Sequence, residues 1–492
     1  MQKDFRLDRI EFENYKNYSK KQILDLTTER RFQEKTTERK EWLVTKKSKY
    51  KKITGVWGRN ASGKSSIIEV VDLWKNILLL MNFSYEEIAK SGAPEDLFNS
   101  HVYLVDKYKR RYNSEKFSDY SQFNDMNKPV VISLFFSSKD LSFKHTIEQQ
   151  YNKGKFKHIP LNKIVSSEKL SFLKTDGSYE DVWVSGKNGY RLSDLVRVFS
   201  YLNNKDKFQS GEQLAYENFI KDKIDDSYLA FAPKQQNNFI ETWSILMSFL
   251  DSFRIMDQTY DPSEEKIIKR TLSRSFEGMN SINFYLTLIY QHSKKTPEEI
   301  KKNLLSFIKC CDQNIKEVLI NFVESEGNRF QADFTGIVTR NGIINFPEEL
   351  SIGTITFIDI MLKILSAEIF AKNSIKYFFI DELGLNWHTN LTKKFLDKIV
   401  DGNFGQNIFV IFTSHDPNIG DFLPTDSIYI INNENNLKRI SDLENKDKNS
   451  NIKRKNEKFS YNYLNYILDY YSTAPDLDNF DDLDEIFDEF QE

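Results

Sequence analysis

The run Gly58-Arg59-Asn60-Ala61-Ser62-Gly63-Lys64-Ser65 constrains this chain more than any other feature. It fits G-x-x-x-x-G-K-[ST], in which glycines let backbone N–H groups curl around phosphate oxygens. The apolar run at 53–57 reads as a short buried strand feeding Gly58. Residues 65–81 then carry Ile67, Val70, Val71, Trp74 and Leu78 at helical spacing. Strand, glycine loop and helix form the setting this motif needs, because the helix aims its positive end at a bound anion. Lys64 is expected to bridge the β- and γ-phosphates of a nucleotide, and Ser65 to ligate Mg²⁺.

Two carboxylates, Asp381 and Glu382, end the apolar run Tyr377-Phe378-Phe379-Ile380. A strand end meeting solvent gives the same pattern, but behind a complete phosphate loop the pair reads differently. Asp381 is expected to hold Mg²⁺, directly or through water, and Glu382 to polarise the attacking water as general base. A third apolar run, 408–412, leads through Thr413 and Ser414 to His415. Ligands of parallel sheets bind at the carboxyl ends of the strands. His415 is therefore expected to sense the γ-phosphate or to orient the nucleophilic water. Ser351 and Gly353 open an apolar helix expected over 354–370, offering a hydroxyl and bare N–H groups to an anion. Alone, that pair is an ordinary helix cap.

At 492 residues the chain has room for two or three domains, and its 39% hydrophobic and 29% charged composition predicts a folded globular protein. The 69 basic and 72 acidic residues cancel to −3, so net charge selects no partner. Local clusters remain. Lys46, Lys47, Lys49, Lys51 and Lys52 precede the phosphate-loop strand, and Lys107, Lys109, Arg110 and Arg111 form a second group. Both read as solvated surface, with contact to a DNA backbone as the alternative. Cys310 and Cys311 are adjacent and cannot staple a fold, which suits a reducing cytoplasm. Residues 1–9 are charged and no apolar run is long enough to span a bilayer. A soluble, cytoplasmic protein with no membrane partner is expected.

Residues 5–12 nearly alternate and read as a half-buried strand, and 129–183 as short strands split by turns. From about residue 185 the pattern turns helical. Phe239, Trp243, Leu246, Leu250 and Phe253 line one helical face. Thr296, Pro297 and Glu299 compose a capping box for a helix whose buried face runs through Leu304, Ile308, Cys311 and Ile315. The runs at 377–380 and 408–412 then predict parallel strands buried under helices. The expected organisation is an N-terminal part of a head at 1–185, a helical insertion at 186–340, the C-terminal part of the head at 341–470, and an acidic tail at 471–492. In the tail, Phe480, Leu483, Phe487 and Phe490 fall at helical spacing. A frayed terminus explains that stripe; gripping a basic partner or neighbouring subunit is the alternative.

Set in order, these pieces resemble the ABC-class P-loop ATPases of the OLD-like AAA group, relatives of the SMC and RecF heads. Asn14-Tyr15 is similar to the group's "N-F/Y" turn, and residues 60–66 to its phosphate-loop wording. Ser351-Ile352-Gly353-Thr354, 30 residues before Asp381, resembles its "S-x-G-T" signature. Asp381-Glu382-Leu383 with His388 resembles its "D-E-(I/L)…L-H-P" segment, and Phe412-Thr413-Ser414-His415-Asp416 its "F-T-T-H-D/N". Asp426-Ser427-Ile428-Tyr429 and Tyr463-Leu464 with Ala474-Pro475 resemble its closing elements. The likeness covers most of the chain. Thr389 stands where the group carries proline, and no glutamine is assigned to a Q-loop. Only 77 residues follow His415, too few for the nuclease that OLD proteins append.

The resemblance implies an α/β fold: a P-loop NTPase, ABC-type ATPase head with mixed β-sheets and a large helical insertion. It implies ATP and Mg²⁺ held by Gly58, Arg59, Asn60, Ala61, Ser62, Gly63, Lys64, Ser65 and Ser66, with Ser65 and Asp381 on the metal. Glu382 and His415 are then catalytic, and Ser351, Gly353 and His388 reach nucleotide. In this group the signature serine meets the γ-phosphate held by the opposite subunit, so a homodimer with two composite sites is implied. Lone heads of this kind occur in phage-defence and abortive-infection systems of PARIS or Septu type. That implies slow, regulated ATP hydrolysis controlling a separately encoded nuclease or toxin. The alternative is a DNA-gripping ATPase of the RecF or SMC kind, acting in repair or chromosome maintenance.

Overall fold

The computed structural model describes residues 5–28, 50–59, 62–79, 124–125, 127–138, 142–149, 165–174, 177–185, 253–257, 281–293, 295–325, 329–345, 350–370, 375–402, 404–405, 407–432, 434–446 and 459–460. The first half comprises β1 (Arg6–Glu13), β2 (Gln22–Asp25), β3 (Ile53–Trp57), α1 (Lys64–Leu79), β4 (Val130–Ser137), β5 (Ser142–Gln149), β6 (Val165–Leu173) and β7 (Tyr179–Ser185). Then follow β8 (Phe253–Asp257), α2 (Ser281–His292), α3 (Pro297–Cys311), β9 (Ile315–Ser325), β10 (Arg329–Thr339) and β11 (Ile344–Asn345). The chain continues with α4 (Ile352–Phe370), β12 (Lys376–Asp381), α5 (Thr389–Val400), β13 (Ile408–Thr413), α6 (Pro417–Gly420), β14 (Ile428–Ile431), β15 (Leu437–Arg439) and α7 (Ile440–Lys446).

The phosphate-loop strand sits inside a sheet ordered β15-β14-β3-β13-β12-β8, in which only β15 runs antiparallel. The strands β3 and β13 are buried along their whole length and β12 up to its last residue, as strands covered on both faces must be. Trp57 anchors this core, meeting the rings of Phe412 and Phe459 edge-on at 5.5 and 5.2 Å. A second sheet, β2-β1-β4-β5-β6-β7, is antiparallel throughout. Hydrogen bonds join it to the first. The Leu7 N–H donates to the Tyr377 hydroxyl at 2.6 Å, and the Tyr429 hydroxyl donates to the Asp25 carbonyl at 2.7 Å. Arg439 closes the seam with its guanidinium 2.9 Å from the Asp25 carboxylate.

A third, antiparallel sheet, β11-β10-β9, packs with α2 and α3 around Leu286, Leu304, Ile308, Val318 and Phe334. The capping box of α3 forms as expected, with the Thr296 hydroxyl accepting from the Glu299 N–H. Helix α4 joins the two cores. Its Phe357, Ile360 and Met361 pack with the parallel sheet, while Ile358 and Leu362 pack with α2, α3 and the hairpin. A helix buried on opposite sides has to be apolar all round, which is how 352–370 reads. No helix among the described residues is long and apolar enough to cross a membrane.

Three expectations are corrected. The segment 186–340 is not wholly helical: β8 adds a parallel edge strand beside β12, and 315–339 is a β-hairpin. Phe253 fits a helical face by spacing, but a short apolar run is ambiguous and pairing with β12 decides it. Ile315 begins β9 instead of prolonging α3, because Asp312 turns extended and its carboxylate accepts from the Asn314 N–H at 2.8 Å. Lys51 and Lys52 are not surface residues but 5% and 1% exposed. Lys52 donates to the Ile399 and Val400 carbonyls at the end of α5, 3.3 and 3.0 Å away, where a cation meets the negative end of the helix. Lys51 donates to the Asp426 carbonyl. Lys46, Lys47, Lys49, the group at 107–111 and the tail from 471 lie outside the described residues, as do 186–252 and 258–280.

Truncating Trp57 to alanine removes a buried side chain that packs on Phe412 and Phe459, and should cost about 3–5 kcal/mol in chemical denaturation, the range for large buried aromatics. A loss below about 1 kcal/mol would mean this core does not hold the sheet together.

Candidate functional site

The carboxyl ends of β3, β13 and β12 lie side by side, and each delivers one part of the site. Register pairs Ile380 with Phe412, Phe412 with Gly55, and Thr413 with Val56. The phosphate loop leaves β3 two residues beyond Val56 and enters α1 at Lys64. At Gly58 a Cβ would come 2.5 Å from the Ser62 Oγ and 3.2 Å from the Ile431 Cβ, so Ser62 would have to turn aside. Gly63 takes φ +96°, a conformation L side chains avoid. Lys64 is buried and donates to the Gly58 and Arg59 carbonyls at 2.8 and 2.9 Å. Burial pushes its ammonium down to about 8, against the opposing pull of Glu382 and Asp381. Ser65 is half-buried and Ser66 buried in the first turn of α1. Asn60 and Ala61 lie outside the described residues.

Thr413 organises the acidic pair. Its hydroxyl donates to the Asp381 carboxylate and accepts from the Glu382 N–H at 2.8 Å. The Thr413 carbonyl accepts from the Leu383 N–H at 2.8 Å, which bends the chain away from the sheet. Glu382 is held at φ 54°, in the left-handed region. A non-glycine residue pays of order 1–3 kcal/mol for such a conformation, and strain of this kind concentrates at working sites. His415 points back at it, with Nε2 3.5 Å from a Glu382 carboxylate oxygen. Burial and the Lys64 charge lower the His415 pKa in spite of Glu382, so a neutral imidazole is favoured at pH 7. Lys64, Asp381, Glu382 and His415 thus form one electrostatic cluster, as the motifs imply.

Ser351, Gly353 and His388 stand in a second cluster. None of the bonds described at Lys64, Asp381, Glu382 or His415 among the described residues reaches them. The exposed Ser351 caps α4: its Oγ accepts from the Thr354 N–H at 3.1 Å and bonds the Thr354 hydroxyl at 2.8 Å. A Cβ on Gly353 would come 2.1 Å from the Asn386 carbonyl, so the start of α4 is pressed onto the turn after Glu382. The Trp387 indole N–H ties the same elements by donating to the Thr356 hydroxyl at 3.0 Å. His388 caps α5, its Nδ1 accepting from the Asn390 N–H at 3.2 Å. Thr389 has a use that proline would not: its hydroxyl donates to the Asp416 carboxylate at 2.8 Å, just past His415.

One candidate escaped the sequence reading. Register sets Asp257 at the end of β8 level with Asp381. Its only signal was an aspartate ending a five-residue run with apolar alternation, Phe253-Arg254-Ile255-Met256-Asp257, masked by the helical pattern before it.

The loop suits a polyphosphate. A buried ammonium, a Gly63 held at positive φ, and a buried Ser62 Oγ with no hydrogen-bond partner among the described residues all meet there. Ser65 and Asp381 carry the hard oxygen donors that would suit Mg²⁺.

No protein-family model and no curated protein sequence matches this chain. Among solved structures it is similar to the SMC head domain from Thermotoga maritima, with a TM-score of 0.34 and 11% identity over 88% of this chain and 99% of that one. It is also similar to an inward-facing putative metal-chelate type ABC transporter, with a TM-score of 0.22 and 14% identity over 39% of this chain and 59% of that one. A further match is cbiO1 from Clostridium perfringens, part of the ABC transporter complex cbiONQ, with a TM-score of 0.21 and 15% identity over 40% and 59%. On its own geometry the chain is α/β, with a phosphate loop set in a parallel sheet.

Gly353→Ala should lower stability by about 1–3 kcal/mol in a denaturant titration, the usual cost of overpacking. An unchanged midpoint would show that α4 and the turn after Glu382 are free to part.

Proposed function

We propose that this chain binds ATP between the phosphate loop and Asp381, and hydrolyses it with Glu382 as general base. The observation that carries the reading is the cluster of Lys64, Asp381, Glu382 and His415 at the carboxyl ends of the strands, with Thr413 bonded to the Asp381 carboxylate and to the Glu382 backbone N–H. Lys64 supplies positive charge to the β- and γ-phosphate oxygens, and backbone N–H groups of the loop orient them. Glu382 takes the proton of the attacking water, and the neutral His415 beside it orients that water. A divalent cation held by Ser65 and Asp381 would neutralise charge on the phosphates.

The reading extends to a homodimer in which Ser351 of one copy closes over the nucleotide of the other. What supports it is exposure: Ser351 caps a helix at the surface, and its neighbours Ile352 and Leu385 are 57% and 37% exposed although apolar. The same reading assigns slow hydrolysis that regulates a separately encoded effector in anti-phage defence, on the resemblance of these motifs to heads found in such systems. The DNA-gripping alternative draws less support, because two of the five lysines in the cluster before β3 are buried. DNA-stimulated hydrolysis with a steep salt dependence would restore it.

Lys64→Ala should abolish nucleotide binding, and unchanged ATP affinity would remove the site assignment. Glu382→Gln should keep ATP affinity, reduce kcat about 10²–10⁴-fold and accumulate an ATP-bound dimer in light scattering. A fully active Glu382→Gln would exclude it as the base.

The depressed Lys64 pKa adds a pH signature. Bound phosphate favours the protonated ammonium, so above pH 8 binding must draw a proton from solution. Affinity should fall by up to about tenfold per pH unit there. Calorimetry at pH 9 in buffers of different ionisation heat would measure the uptake, which should shrink to about a tenth of a proton at pH 7.

A further inference from the structure

The turn between β1 and β2 reaches the phosphate loop from outside the sheet that carries it. Asn14 and Lys16 take φ 55° and 49°, and the Tyr18 N–H donates to the Tyr15 carbonyl at 2.9 Å, so residues 14–18 make a tight, specific reversal. Both flanks of the turn are clamped. The Asn14 amide donates to the Asp125 and Lys128 carbonyls, each at 2.8 Å, and its Oδ1 accepts from the Asp125 N–H at 2.7 Å. Lys16 pairs with Glu69 on α1, one turn beyond the loop. Between these clamps Tyr18 is fully buried, with Phe12 edge-on at 5.0 Å.

The Tyr18 hydroxyl donates to the Gly63 carbonyl at 2.9 Å. The same carbonyl accepts from the Ser66 N–H at 3.1 Å. In a planar trans peptide the Gly63 carbonyl and the Lys64 N–H point in opposite directions, so fixing one aims the other. Gly63 has no side chain of its own to hold it, and the Tyr18 ring lies 3.0–3.2 Å from where its Cβ would stand. Burial lifts the Tyr18 hydroxyl well above the ordinary tyrosine range, so it remains a donor at any working pH.

Building on the nucleotide reading above, we propose that Tyr18 is a positioning residue for the phosphate loop. Its hydroxyl holds the Gly63–Lys64 peptide in the orientation that receives phosphate, so the β1–β2 turn sets nucleotide affinity by acting through the loop.

The test uses the full chain, Mg-ATP and Mg-ADP as probes, titration calorimetry for Kd and a thermal melt for stability. Tyr18→Phe keeps the ring and removes the donor. Kd for both nucleotides should rise about 3- to 10-fold, the worth of one net hydrogen bond. Tyr429→Phe removes a different buried hydroxyl, one bonded to Asp25, and should leave Kd within about twofold while lowering the melt. A Tyr18→Phe protein that melts earlier yet binds within about twofold of wild type makes Tyr18 merely structural and overturns the proposal. Wild-type protein that binds neither nucleotide sinks the reading of the site, and the proposal with it. Should Tyr18→Phe not fold, Asn14→Gly keeps the left-handed backbone and removes the amide that clamps the turn, with Kd expected to rise about 3- to 10-fold. Unchanged affinity there overturns the proposal equally.

Discussion

The Thr413 hydroxyl, wedged between two neighbouring strand ends, is the contact on which the site depends. One oxygen donates to Asp381 and accepts from the Glu382 backbone, so the position of both acids follows from the position of β13. Parallel pairing with β3 then places that oxygen level with Val56, just before the phosphate loop departs. Register therefore sets chemistry here. A slip of one residue would turn Thr413 to the opposite face and strip the Asp381 carboxylate and the Glu382 backbone of their anchor. The deep burial of β3, β12 and β13 guards against that slip, because every apolar side chain would lose its place with it.

Around that fixed edge the remaining elements act as levers of different length. Helix α4 shares its surface between two cores, and its first turn is pressed onto the residues that follow Glu382. The β9–β10 hairpin, α2 and α3 thereby pack on the same helix whose first turn meets the 384–388 turn. The antiparallel sheet contributes from the other side through Leu7, Asp25 and the β1–β2 turn. The two thus meet the site at different segments, the turn after Glu382 and the phosphate loop.

Much of this was legible in the residues. The phosphate loop, the carboxylate pair and His415 each sit beside an apolar strand whose composition alone forecasts burial, and the fold brings all three to one edge. The Thr296 capping box could be read because its partners are three residues apart. What escaped depends on distant pairing. Phe253 and Asp257 belong to a strand only because β12 lies beside them, and nothing within their own neighbourhood announces it. Lys51 and Lys52 looked like solvated charge, since a lysine that ends on helix carbonyls has the same letter as one that ends in water. The Tyr18–Gly63 bond spans 45 residues and was equally invisible.

The left-handed backbone at Glu382 has a consequence for how such a chain can change over time. Glycine or asparagine would occupy that conformation with less strain, so replacing the carboxylate there would make the folded protein sturdier and, on the mechanism proposed above, would silence it. Robustness and turnover pull in opposite directions at a single residue. Selection for heat tolerance alone would erode this position early, and its retention in a working lineage would mark hydrolysis as the trait being kept.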